Sequence, residues 1–289
     1  MKYKLVKQIR DIKVLRRSFI KLAEEVFDLS FENWYQNGFW TDKYIPYVLI
    51  ENGRKVVANV SVNIIDTVWE NTSKCYIQLG TVMTDPEYRN RGFSSQLIRE
   101  IISEWREKCD AIYLFANSKV LNFYPKFGFI KAAEYQYSLP FSAMKREFRK
   151  LEMSNSEDNF ILKKYYERSN PFSAFPMNNN YELLMFYCSS FMKEHIYYSK
   201  KYDTVCIAIK NEDILTCFDI FGSDNYSMEE IIFSIGFEGV KQVVLGFTPK
   251  ECKNYCGTKI KNDDTLFVLN SKENLFINNK LMFPLLSHA

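Results

Sequence analysis

The chain has 289 residues, 47% hydrophobic and 25% charged, proportions that exclude a polypeptide disordered along its length. Its 38 Lys and Arg against 35 Asp and Glu leave a formal charge of +3, with +4 over residues 1–140 and −1 over the rest, well short of the basic excess of a nucleic-acid binder. The length fits two domains, no stretch approaches the ~20 apolar residues of a membrane span, and the charged opening MKYKLVKQIRDIKVLRR lacks the apolar run of a secretory signal.

Residues 3–6 read as a short strand, followed by a helix that Asp11 caps and that carries Val14, Leu15, Phe19, Leu22 and Phe27 at helical spacing. After the aromatic stretch FENWYQNGFWTDKY, residues 45–50 and 56–65 form a hairpin around Asn52-Gly53, a pair that tolerates left-handed φ at little cost. Residues 76–84 give the next strand. A helix over 93–108 sets Leu97, Ile98, Ile101, Ile102 and Trp105 opposite Arg99, Glu100, Glu104 and Glu107. Residues 111–116 are a strand, 119–126 a short helix and 129–139 a final strand pair.

The second half repeats this order, which predicts an internal duplication, with two unrelated α/β domains as the alternative. A strand in 148–153 and a helix from 159 mirror the opening. Residues 204–209 and 214–221 mirror the hairpin and central strand, 227–235 the long helix, 243–247 the strand after it and 250–260 the short helix. IYLFANSKVLNFY (112–124) and VVLGFTPKECKNY (243–255) align without a gap, matching Leu114 with Leu245, Lys119 with Lys250 and Tyr124 with Tyr255. The expected division is a catalytic domain over 1–140, a linker over 141–147 and a second domain over 148–289.

The sharpest chemical signal is Arg89-Asn90-Arg91-Gly92-Phe93-Ser94-Ser95, after a strand and at the start of a helix. Main-chain amides converge at such a terminus, the helix dipole adds partial positive charge, and a Gly lets an anion approach the backbone. The segment fits a diphosphate seat or plain helix capping with solvated arginines. It has neither the Lys of a GxxxxGK loop nor the three glycines of a dinucleotide fold, so a Mg²⁺-bound mononucleotide is not favoured.

VMTDPEYRNRGFSSQLI resembles the acetyl-CoA motif of the GNAT acetyltransferase superfamily, an Arg or Gln, two residues, Gly, one residue, then Gly or Ala. Arg89 and Gly92 meet it, and Ser94 stands where Gly or Ala is usual. FANSKVLNFYPKFGF is similar to the second signature, with Asn117, Tyr124, Gly128 and Phe129 in place. The resemblance covers about residues 76–138, with a weaker lead-in from residue 3. It implies a GNAT fold, a mixed central α/β sheet flanked by helices, in two tandem copies. Acetyl-CoA is the implied co-substrate, with no metal. Backbone groups of Val82, Met83 and Thr84 would hold the pantetheine arm, amides from Asn90 through Arg91, Gly92, Phe93 and Ser94 to Ser95 the pyrophosphate, and Asn117 the pantetheine or a water. Tyr124 would protonate the leaving thiolate, or else be a core residue.

The implied reaction is direct attack of an amine, from a small molecule or a peptide, on the thioester. Many relatives carry a basic Glu on the central strand, but Gln78 occupies that place here. Asp28, Glu32, Asp42 and Asp66 are unranked alternatives, as are His288 and Ala289 at the end of FPLLSHA. The seven cysteines, at 75, 109, 188, 206, 217, 252 and 256, read as buried thiols in a reducing, cytoplasmic setting, and only Cys252 and Cys256 are close enough to suggest a metal pair. Trp34, Tyr35, Phe39, Trp40 and Tyr44 are either an acceptor lining or a hydrophobic plug. The rear copy reads FGSDNYSMEE where the amide seat should recur, and its acids would repel a diphosphate, so it is expected to be degenerate. A non-catalytic CoA-binding module and an acyl-CoA hydrolase are the rivals; nucleic acid and membrane are not expected partners, and oligomeric state is left open.

Overall fold

The structure, a computed structural model, describes residues 3–261, 263–270 and 272–289. Its front part runs β1 (Tyr3–Lys7), α1 (Lys13–Phe27), α2 (Glu32–Gln36), β2 (Tyr44–Glu51), β3 (Lys55–Trp69), β4 (Thr72–Thr84), α3 (Phe93–Trp105), β5 (Ala111–Asn117), β6 (Phe129–Lys131) and β7 (Tyr135–Pro140). The rear part continues with β8 (Arg149–Lys150), α4 (Ser156–Tyr166), β9 (Met177–Asn178), α5 (Tyr181–Cys188), β10 (Ile196–Ser199), β11 (Thr204–Asn211), β12 (Ile214–Gly222), α6 (Met228–Phe233), β13 (Gln242–Leu245), β14 (Cys256–Lys259) and β15 (Asp264–Leu269). The fold is mixed α/β, with two mixed sheets flanked by helices.

The strands pair in the order β1-β2-β3-β4-β5-β15-β6, with β9 also against β3, and β14-β7-β13-β12-β11-β10-β8. Each sheet has one parallel pair, β4 with β5 and β12 with β13. Two strands change sides. β15, from the rear of the chain, lies antiparallel between β5 and β6, and β7, from the front, lies between β13 and β14. Residues 129–139, expected as one strand pair, are therefore divided between the sheets. Residues 250–260, expected as a short helix, instead give β14, whose Gly257 lets the Tyr137 ring lie against the backbone.

Local chemistry explains the elements that position the site. Asn52 and Gly53 both take positive φ, 51° and 71°, and close the β2–β3 hairpin. Gly92 caps α3 at φ 77°, and the helix lays Leu97, Ile98 and Ile101 on one face of the front sheet, among Val60, Val62, Ile77 and Ile112. The opposite face packs on the rear part, where Ile65, Tyr76 and Tyr113 meet Leu162, Phe175 and Phe283. Each such side chain contributes about 1.5–3 kcal/mol when removed from water.

The last segment joins the halves. Leu285 N donates to Gly246 O beside the β12–β13 pair (2.8 Å), Phe283 stacks on Tyr113 with centroids 3.8 Å apart, and His288 stacks on Phe115 at 4.0 Å. Ala289 ends beside β4, where its main-chain oxygen accepts from Gln78 Nε2 at 3.4 Å.

Candidate active site

The parallel pairing of β4 with β5 runs from Tyr76↔Ala111 to Leu79↔Leu114 and stops there. Past Leu79, β4 bulges against β3, with Thr81 at φ 47°, a costly conformation for a β-branched residue. Asn59 Nδ2 donates to Thr81 O (2.8 Å), Thr81 Oγ1 shares a hydrogen bond with Tyr44 OH (3.0 Å), and Ser61 Oγ donates to Tyr44 OH (2.9 Å). These bonds hold the bulge and leave β4 diverging from β5.

The diverging strands open a groove lined by Val82, Met83 and Thr84 on one side, Asn117 and Tyr124 on the other, and Arg89, Asn90, Arg91, Gly92, Phe93, Ser94 and Ser95 at the end. Every cofactor-contact residue named from the sequence thus lines one groove. Val26, Tyr88, Val120 and Phe123 also line it, without a motif to announce them. The amides of the first α3 turn have no carbonyl partner within the helix, so they are open to an anion. A Cβ built on Gly92 would meet nothing within 4 Å.

The side chains around them are already engaged. Arg91 donates to Tyr3 OH (3.0 Å) and Glu87 O (3.1 Å), Arg89 Nε to Thr84 O (3.4 Å), and Asn117 Oδ1 accepts from Lys119 N (3.1 Å). The Ser94 hydroxyl pairs with Thr84 Oγ1 at 2.9 Å, tying the helix start to β4.

Tyr124 sits in a short 3₁₀ turn with its ring against Phe123, Phe129 and Phe267. Burial pushes its phenol up to about 12, which keeps the proton on the oxygen. Gln78 is buried one pleat before the bulge. The other acid–base candidates lie elsewhere: Asp66 pairs with Lys43 at 2.7 Å, Asp42 with Arg10 at 3.1 Å, Glu32 accepts from Gln36 at 2.6 Å, and Asp28 ends α1. His288 is half-buried, and desolvation holds its imidazole down near 4.

On the other side of Thr81 a second, narrower pocket is walled by Phe31, Trp34, Tyr44 and Phe186, with Leu29, Leu183, Lys43, Asn63, Glu182 and Ala289. The aromatic stretch divides its labour: Trp34 and Tyr44 face this pocket, whereas Trp40 is buried beside Phe19 and Tyr35 stacks on the Arg16 guanidinium at 3.7 Å. The α5 wall comes from the rear half. Trp34 Nε1 anchors it by donating to Glu182 O at 2.7 Å. The cysteines are free; Cys109, Cys188, Cys206 and Cys217 are buried, Cys75 and Cys252 half-buried, and Cys256 is exposed, unlike the uniformly buried thiols expected.

In the rear sheet the corresponding opening is closed. β12–β13 pairing also stops at a leucine, Cys217↔Leu245, but Gly246 N then donates back to Cys217 O (2.7 Å) and the chain's last segment fills the gap. The helix after it, α6, has six residues and opens with Glu229 and Glu230.

Residues 12–132 match the family model described as an acetyltransferase (GNAT) domain. No curated protein matches the sequence significantly. Among solved structures, the chain is similar to a probable N-acyltransferase from Enterococcus faecalis (TM-score 0.65, 13% identity, covering 93% of this chain and 72% of that one). It is also similar to a GCN5-related N-acetyltransferase from Kribbella flavida (0.57, 14%, 92% and 70%) and to Eis1 from Mycobacterium abscessus (0.56, 12%, 91% and 72%). No helix among the described residues is long and apolar enough to cross a membrane.

Proposed function

From the premise that residues 12–132 form a GNAT acetyltransferase domain, we propose that the chain transfers an acetyl group from acetyl-CoA to an amine. The observation that carries the reading is the groove at the end of the β4–β5 pair, where the first-turn amides of α3, the free edge of β4 and the Tyr124 side chain converge. The co-substrate supplies the thioester. Amides from Gly92 to Ser95 hold its diphosphate, the Val82–Thr84 backbone edge orients its arm, and binding both reactants at the bulge replaces a bimolecular encounter. The amine nitrogen forms a bond to the acyl carbon as the carbon–sulfur bond breaks, Tyr124 gives its proton to the departing sulfur, and the proton that the nitrogen sheds as the amide forms returns through water to the Tyr124 oxygen.

Gln78 cannot take the proton from an ammonium, so the acceptor reacts as the neutral amine. An apolar pocket favours that form because desolvation penalises the charge. The rear half, 148–289, is in this reading a degenerate copy joined through 141–147 to the catalytic part, 1–140: its opening is filled and its helix start is acidic. The free cysteines fit the reducing cytoplasm. A second reading, CoA binding without turnover, draws on Gln78 alone.

Gly92→Asp places a carboxylate in front of the amides at a residue with φ 77°. At ~4 Å from a phosphate, an effective dielectric near 20 makes this repulsion worth about 4 kcal/mol. Acetyl-CoA affinity should fall at least a hundredfold in titration calorimetry; unchanged affinity removes the site. Release of CoA thiol with an amine panel separates the readings, because the binding-only protein gives none above background.

A further inference from the structure

We infer that the Thr81 hydroxyl donates a hydrogen bond to the thioester carbonyl oxygen, and to the oxyanion that oxygen becomes, at the end of a directed chain running Asn59, Ser61, Tyr44, Thr81. The inference rests on the acetyl-transfer reading and adds a catalytic residue to it. Thr81 lines the second pocket and Val82, its neighbour on β4, lines the groove, so Thr81 stands where the two spaces meet.

Each bond fixes the direction of the next. Thr81 O can only accept, so the Asn59 atom 2.8 Å from it is the amide nitrogen, which has a second proton for Ser61 Oγ at 2.9 Å. Ser61 then gives its single proton to Tyr44 OH (2.9 Å), and Tyr44 gives its own to Thr81 Oγ1 (3.0 Å). Asn59 and Ser61 are fully buried, away from water that could reverse them. Burial also holds the Tyr44 phenol well above its usual value, so it remains a donor. Thr81 Oγ1 has accepted one proton and still carries its own, for which no acceptor stands among the described residues. The space beside it, about 50 Å³, has room for a carbonyl oxygen. Bonds in such a chain polarise one another and strengthen the last donor, and a donor already in place acts most where negative charge develops. The placement is costly: Thr81 has φ 47°, which costs a β-branched residue about 1–3 kcal/mol and glycine almost nothing. The hydroxyl is what threonine brings to the bulge and glycine lacks.

The test binds acetyl-CoA, isotope-labelled at the carbonyl carbon, to the full chain and reads the carbonyl stretch by difference infrared spectroscopy. A hydrogen bond lowers that stretch. Thr81→Val keeps the branched shape and the φ cost but not the proton, so its band should lie above the parent's, and thiol release with the amine panel should slow about a hundredfold. Thr81→Ser should keep both near the parent. Tyr44→Phe, which removes the donor to Thr81, should place the band between those of the parent and Thr81→Val. The parent's band retained in Thr81→Val, or lost in Thr81→Ser, overturns the role of the hydroxyl and leaves acetyl transfer standing. The parent's band retained in Tyr44→Phe overturns the chain. Failure of the parent to bind acetyl-CoA, or to acetylate any amine, overturns the transfer reading and this inference with it.

Discussion

Gly80 is the residue at which the last segment of the chain touches β4, and replacing it measures that contact. A Cβ at this position would lie 2.8 Å from the Ala289 carbonyl carbon, closer still to its oxygen, and 3.1 Å from Asn63 Nδ2. Ordinary carbon contacts begin near 3.4 Å, so the Ala289 backbone must retreat by about 0.6 Å, breaking its 3.4 Å hydrogen bond from Gln78. Overpacking of this kind costs about 1–3 kcal/mol, a fall of roughly 2–6 °C in Tm for a chain of this size. Gly80 is not in the left-handed region, so alanine brings no backbone strain and the cost belongs to the clash. Thermal unfolding of Gly80→Ala should therefore show that loss in the whole chain, and little or none in a chain shortened by Ala289, where the partner is gone. An equal cost in both backgrounds would refute the placement of Ala289 against β4.

Tyr124→Phe should leave acetyl-CoA affinity within about twofold and slow the chemical step by about a hundredfold, read by single-turnover kinetics; an unaltered step removes the acid role. Glu134 is buried, accepts from Phe283 N at 2.9 Å, and is pushed up to about 7 from 4.5 by desolvation. Between those values the native state keeps a proton that the unfolded state has lost, so this group's stabilising contribution is complete below pH 4.5, declines as pH rises, and is gone above 7. Glu134→Gln should thus gain about 3 kcal/mol over the parent at pH 8 relative to pH 4.5 in urea titrations. The difference between the two chains removes the opposing contribution of His288, whose depressed imidazole favours the native state as pH rises from 4 to 6.5. Parallel pH profiles would count against a protonated Glu134.

Features encoded by neighbouring residues were legible in the sequence. Asn52-Gly53 announced a hairpin because positive φ is a property of the residues themselves, and α3 announced itself by a 3.6-residue period. The groove at the end of the β4–β5 pair was readable because most of its lining falls in two short motifs. The second pocket was not. One side of its wall is α5, whose Leu183, Leu184, Met185 and Cys188 are all buried, so no polar face marked it as a helix. The strand pair read over 129–139 did not say which sheet receives each strand, and 264–269, buried without alternation from Leu266 to Leu269, was not read as a strand; long-range pairing decided both. Gln78 stood out in the sequence, but its neighbour Ala289 is 211 residues away in the chain.

The crossing of β7 and β15 gives the molecule a topology resembling two clasped hands. A protease cut within 141–147 would yield two pieces that stay interlocked, since each contributes a strand to the other's sheet. The same geometry sets an order on biosynthesis: a nascent chain released as far as residue 140 exposes the bare edge of β5, and must keep it from other polypeptides until residues 264–269 emerge to cover it.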